Sequence, residues 1–184
     1  MTSGSRLRRI LTCARAPGVH AVLVLRFGQW SRRRPLPLRI VFDPIYAILD
    51  FFINVLWGIE IPRSAKIGPG LYIGHYGGIT VSSVAVIGRD CNLSQNITIG
   101  VSGAGPKRGA PTLGDNVYIA PGARLFGRIT IGNNVKIGAN AVIHKDVPDN
   151  AIAVVDPGFK IISYAGNTPA ANSASDAGEH VGGD

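Results

Sequence analysis

The chain has 184 residues, and 46% hydrophobic with only 16% charged side chains is too apolar for a disordered polymer and enough for a sizeable core. Its 24 Gly and 12 Pro follow no G-X-Y period, which excludes collagen, and the two cysteines, Cys13 and Cys91, cannot staple a disulfide scaffold. The net charge of +8 is uneven: residues 1–59 carry nine Arg against Asp43 and Asp50, residues 60–165 net +4, and residues 166–184 net −3.

A basic, partly apolar front end points to a membrane surface or an anionic ligand ahead of nucleic acid, the bland alternative being a solvated Arg-rich helix face. No cleavable leader is expected. The apolar run Val19–Leu25 contains His20 and no small-residue cleavage site follows it. The stretch 36–58 is apolar but broken by Arg39, Asp43, Pro44 and Asp50, so it reads as an amphipathic or buried helix starting near Pro44, with Ile45, Ile48, Leu49, Phe52 and Val55 at helical spacing. Absent cysteine pairing and metal-type Cys/His spacing, the expected setting is the cytoplasm, with the inner membrane face open as a location.

From Ile61 the sequence repeats every six residues. One series runs Ile61, Ile67, Ile73, Ile79; a two-residue shift resets it to Val81, Ile87, Leu93, Ile99; after an interruption it resumes at Leu113, Ile119, Leu125, Ile131, Ile137 and Ile143. The fifth position of the hexad is small or β-branched, as in Ala65, Cys91, Val117 and Ala123. This period fits neither a helix face nor an alternating strand. It fits a short extended segment ending in a tight corner, with Gly or Asn tolerating positive φ, as at Asp115-Asn116 and Asn133-Asn134. Three such sides close a triangular coil whose strands stack in parallel.

The run Ile61–Val147 resembles the hexapeptide-repeat acyltransferases, and within them the serine acetyltransferase branch and its relatives that O-acetylate bacterial exopolysaccharides. The carrying residues are Glu60-Ile-Pro-Arg-Ser-Ala-Lys-Ile-Gly, Ile73-Gly-His75-Tyr-Gly-Gly-Ile-Thr, the loop Ile99-Gly-Val-Ser-Gly-Ala-Gly and the closing Val147-Pro-Asp-Asn-Ala. The resemblance covers about three-quarters of the chain. It implies an all-β core with a helical N-terminal region: a left-handed parallel β-helix of four to five coils, an exception to the right-handed crossover rule. The expected organisation is a basic helical region 1–59, a β-helix acyltransferase domain 60–165 with a loop at 101–112 and a cap over Asp149–Tyr164, and a disordered polar tail 166–184.

Transfer of an acyl group from a thioester to a hydroxyl needs a base at neutral pH, and an imidazole steadied by a carboxylate is the natural one. Of four histidines, His20 and His180 lie outside the repeat and His144 falls at its end. His75 sits among glycines that let a substrate approach the backbone. The resemblance implies a catalytic pair of His75 and the carboxylate fifteen residues earlier, Glu60, where the family usually has Asp. Cys91 occupies an inward position and reads as core, so attack is direct, without an acyl-enzyme.

Acetyl-CoA is the implied co-substrate, with pantetheine contacts near Gly103, Ala120 and Ala139 and a phosphate contact at Lys136. Lys107 and Arg108 could meet phosphates or the acceptor, or be solvated loop charges. No metal is expected. A γ-carbonic-anhydrase-like site needs three convergent His, and the coil has only His75 and His144. Sites closed between three subunits imply a homotrimer. Where serine acetyltransferases carry Asp before the catalytic His, and Arg-His before the loop's closing Pro, this chain has Gly74 and Gly109-Ala110. That departure favours a sugar or exopolysaccharide hydroxyl as acceptor. Serine O-acetylation is the alternative, and a non-enzymatic scaffold a further one.

Overall fold

In a computed structural model, residues 15–105 and 108–155 are described, and two helices precede a column of short parallel strands. Helix α1 (Pro17–Ser31) begins on a proline, whose missing N–H costs nothing at a first turn. It buries Gly18, Ala21, Leu25 and Gly28, a stripe of mostly small residues at helical spacing. A Cβ on Gly18 would collide with the Ile73 backbone, so glycine is what lets α1 lie directly on the first coil. Arg26 fastens it there by donating to the carbonyls of Ile67, at 2.8 Å, and of Gly68, and Gln29 donates to Ala65 O at 3.2 Å.

Helix α2 (Leu36–Trp57) corrects the expected start near Pro44: it begins eight residues earlier and carries Pro44 inside. A mid-helix proline normally breaks or kinks a helix. Here the polar stripe around it holds the element in place. Asp43 accepts from Arg63 (2.6 Å) and Ser31 (3.1 Å), and Tyr46 donates to Asp50 at 3.0 Å. The Arg63 hydrogen bond, with Ser31 and the guanidinium charge, holds the Asp43 carboxyl below its ordinary range despite partial desolvation. Burial, and then the Asp50 carboxylate, push the Tyr46 phenol up to about 12. Gly58, left-handed at φ 59°, caps the helix and turns the chain into the first strand.

Among the described residues fourteen strands of two or three residues follow: β1 (Ile59–Glu60), β2 (Lys66–Ile67), β3 (Tyr72–Ile73), β4 (Ile79–Val81), β5 (Val86–Ile87), β6 (Asn92–Leu93), β7 (Thr98–Gly100), β8 (Thr112–Leu113), β9 (Tyr118–Ile119), β10 (Arg124–Phe126), β11 (Thr130–Ile131), β12 (Lys136–Ile137), β13 (Val142–Ile143) and β14 (Ile152–Ala153). They form three parallel sheets: sheet A with order β1-β4-β7-β10-β13, sheet B with β2-β5-β8-β11, and sheet C with β3-β6-β9-β12-β14. The fold is the expected parallel β-helix, with four full coils and part of a fifth. The aliphatic hexad positions point inward and are buried from Ile61 to Ile137, while Ile143 at the open end is half-buried. Small fifth-position residues share the interior, Cys91 among them. Burial raises its thiol pKa, and its S–H points at Gly114 O, 3.3 Å away, as a core group would.

The corners are built as the sequence implies. Asn116, Asn134 and Asn150 all have positive φ near 60°, and their amides run in a ladder, Asn116 Nδ2 to Asn134 Oδ1 at 3.0 Å and Asn134 Nδ2 to Asn150 Oδ1 at 3.1 Å. A second ladder runs beside it, with Asp115, Asn133 and Asp149 each accepting from the backbone N–H of the preceding coil.

Register exposes two irregularities. Val81 pairs with Ile99 and Leu125 with Ile143, eighteen residues per coil, but Ile59 pairs with Ile79, twenty apart, and Ile99 with Leu125, twenty-six apart. The surplus residues lie at the His75–Gly78 corner and in the 101–112 loop. The described residues stop short of the end of the expected cap and of the tail 166–184, which lie outside them with Lys107.

Candidate active site

The edge between sheets C and A gathers most of the candidate residues. Four corners stack along it: Gly74-His75 after β3 (Tyr72–Ile73), Ser94-Gln95 after β6 (Asn92–Leu93), Ala120-Pro121 after β9 (Tyr118–Ile119) and Gly138-Ala139 after β12 (Lys136–Ile137). Backbone hydrogen bonds tie them in sequence, Asn96 N to Gly77 O (2.8 Å), Gly122 N to Gln95 O (3.1 Å) and Asn140 N to Pro121 O (2.9 Å). His75, Ala120 and Ala139 therefore share one edge. Lys136 stands outward on the adjoining face of sheet C.

The His75 corner is set by glycine. Gly77 and Gly78 both adopt positive φ, 99° and 66°, and a Cβ on Gly78 would meet the Asn96 side chain. The two extra residues lift His75 and Tyr76 into solvent, where both side chains are exposed. Glu60 lies on the outer face of sheet A, paired in register with Thr80, and its strand starts against this corner because Gly58 abuts the Gly78 nitrogen. Glu60 thus lies on the strand that enters beside the corner carrying His75. Among the described residues no hydrogen bond joins Glu60 to His75.

Gly103 is not on this edge. It belongs to the arm between β7 (Thr98–Gly100) and β8 (Thr112–Leu113), at the edge between sheets A and B. The arm's base is a small antiparallel bridge in which Ser102 and Gly109 exchange backbone hydrogen bonds at 3.0 and 3.1 Å. Gly103 and Gly105 take left-handed φ values of 90° and 55°, and Gly109 lies against Arg128. Within one chain, then, the loop and the His75 corner face different directions.

Two neighbours of the site carry no signal in the hexad pattern. Ser94 is buried at a position where other coils have Gly or Ala, and Gln95 keeps a buried Oε1 with no partner among the described residues. A polar pair interrupting a run of small corner residues is the trace that marks them. Among the described residues no cluster of His, Cys, Asp and Glu could hold a metal.

Comparison with known proteins bears on the acceptor. Residues 110–145 match the bacterial transferase hexapeptide (six repeats) family. The chain is 38% identical over 138 residues to a serine acetyltransferase of Helicobacter pylori, covering 75% of this chain and 77% of that protein. It is 34% identical over 142 residues to one of Synechococcus elongatus, covering 77% and 56% respectively. Serine acetyltransferase isoform 3 of Entamoeba histolytica, solved in complex with cysteine, superposes with a TM-score of 0.66 at 30% identity, over 81% of this chain and 51% of that one. A serine acetyltransferase in complex with CoA superposes with a TM-score of 0.62 at 27% identity, over 79% and 57%.

The chain thus spans little more than half the length of several relatives it matches. The expectation of a sugar or exopolysaccharide acceptor is overturned: it rested on two missing side chains, at Gly74 and at Gly109-Ala110, against a similarity that runs through the whole coil and names serine enzymes. On this similarity the chain belongs to the serine acetyltransferase family of hexapeptide-repeat transferases.

Proposed function

We propose that the protein transfers the acetyl group of acetyl-CoA to the hydroxyl of L-serine, by direct attack and without an acyl-enzyme. The observation that carries the reading is the 38% identity over three-quarters of both this chain and a serine acetyltransferase, joined to a glycine-built corner that presents His75. His75 takes the hydroxyl proton as the oxygen bonds to the thioester carbonyl. The C–S bond then breaks and the imidazolium returns its proton to the leaving CoA sulfur. Glu60, beside the same corner, orients the ring and steadies its charge. Among the described residues the one cysteine, Cys91, is sealed in the core and offers no nucleophile.

Ala120 and Ala139 leave the edge low enough for the pantetheine arm, and Lys136 on the adjoining face meets a CoA phosphate. Arg108, immediately before Gly109, meets the serine carboxylate. Because Gly103 and Arg108 sit at a different edge from His75, one chain supplies only part of each site. We read the functional unit as a homotrimer in which the loop of one protomer covers the His75 corner of the next.

Release of CoA thiol by the purified chain, with L-serine and with sugars as separate acceptors, tests the reading. Serine-dependent release is expected. A chain that binds CoA and acetylates no amino acid would overturn it, and a monomer by light scattering would overturn the shared site.

A further inference from the structure

Helix α2 is inside out. Its polar residues, Arg39, Asp43, Asp50 and Asn54, lie with Tyr46 and Ile53 on the side turned to the protein. Every exposed position of the helix, fourteen in all, is apolar, including Leu36, Ile40, Ile48, Phe51, Phe52 and Leu56. A soluble helix shows the opposite arrangement. At 22 residues it presents an uncharged face about 33 Å long.

What flanks that face identifies its partner. The turn between α1 and α2 carries Arg32, Arg33 and Arg34, all exposed, and the Arg34 guanidinium lies over the Trp30 ring at 4.6 Å. The same turn borders a cavity of about 940 Å³ between α1 and the first coil, to which Arg26, Arg63 and Lys66 also contribute and no acidic side chain does. Trp30 packs on Phe42 at this end of α2, and Trp57 closes the other end. An apolar strip with tryptophans at its ends and a cationic recess beside it, wide enough for lipid headgroups, matches the interfacial zone of an anionic bilayer: acyl chains on one side, phosphate headgroups on the other.

We propose that α2 lies in the plane of an anionic phospholipid surface, its apolar face among the acyl chains and the Arg32–Arg34 turn with its cavity on lipid phosphates. The helix is long and apolar enough to cross a bilayer, and 11% of its most apolar window is buried. Crossing is opposed by Arg63. It belongs to the first coil yet holds Asp43 in the first half of α2, so a spanning helix would draw the coil into hydrocarbon. An in-plane helix keeps that ion pair on the protein side.

Flotation of the full chain with vesicles tests this. Vesicles of phosphatidylcholine carrying about one-third phosphatidylglycerol are expected to retain the protein, and pure phosphatidylcholine to retain far less. Arg32→Glu/Arg33→Glu/Arg34→Glu should weaken retention by more than 100-fold, taking roughly fivefold for each lost arginine and more for the reversed charge. Ile48→Ser/Phe52→Ser should abolish retention while the circular dichroism and melting temperature stay unchanged, since both side chains face outward. Three results would overturn the proposal: no retention on anionic vesicles; binding of inorganic pyrophosphate with no vesicle retention, which would make the cavity a soluble-anion site; or a larger oligomer that the Phe52 variant dissociates, without vesicle binding, which would make the face a contact between copies. Serine acetylation in the absence of vesicles is read separately, so failure here leaves the activity untouched.

Discussion

Arg63 reaches from the first coil to Asp43 in helix α2, Nη1 to Oδ1 2.6 Å, with its guanidinium 4.5 Å from the Tyr46 ring centroid. One side chain thus joins the helical front end to the β-helix, and it does so through an acid whose folded pKa is lowered. A lowered pKa means the contribution is present above the ordinary carboxylate value of 3.8 and is lost as pH falls through the folded value. Trp30 lies beside Phe42, next to Asp43, so its fluorescence should shift below about pH 4 in the parent. In Asp43→Asn the emission should already be shifted at neutral pH and should lose this acid step. If the Asp43→Asn variant kept the parent's pH profile, the ion pair would not be what positions the helix.

His75→Ala should lower serine-dependent turnover by roughly 10²–10⁴-fold with little change in CoA affinity. Glu60→Gln should cost less, since an amide can still hold the ring. Neither side chain is in the core, so both variants should melt with the parent. Near-normal turnover in the alanine variant would remove His75 from the chemistry.

Arg108→Ala should raise the KM for serine by about tenfold or more, the loss of one charge-assisted hydrogen bond, and leave kcat and CoA affinity near the parent values. Titration of both substrates separates the two. An effect confined to CoA would move Arg108 to the phosphates.

Leu125 is wholly buried between Ile99 and Ile143 on the neighbouring coils. Leu125→Ala should cost about 2–5 kcal/mol in chemical denaturation, because a packed column of aliphatic residues cannot collapse around the gap.

Cys91 should resist iodoacetamide in the native protein, its thiol buried and its pKa raised, and react on unfolding. Peptide mapping separates it from Cys13. Rapid native labelling would contradict the sealed core.

The coil is readable because each hexad repeats the same local decision: Ile119 in, Gly122 or Asn116 at the bend, Val117 filling the remainder. Which side of α2 faces out is not readable. Ile45, Ile48, Leu49, Phe52 and Val55 fall at helical spacing, and periodicity marks a stripe without saying what it meets. The deciding groups, Arg63 and Ser31, lie twenty residues after and twelve before Asp43. Glu60 is marked by its fifteen-residue offset from His75 in the family pattern, whereas Gln95 leaves only the trace of a polar residue among small corner residues, and its buried unpaired amide exists only once the coils stack. The acceptor escapes a sequence reading because side chains missing from two positions say nothing of what replaces them.

The uneven coil lengths separate architecture from chemistry. The surplus segments fall in the first and third coils, and the second, from Val81 to Ile99, is a plain eighteen-residue turn between them. That plain turn is a spacer. Doubling it would lengthen the column and move Ala139 and Lys136 farther from His75 by one strand spacing, about 4.8 Å, without disturbing either irregular segment. The distance from His75 to Ala139 and Lys136 is therefore ruled off in whole coils, and the molecule can change it only in steps of that size.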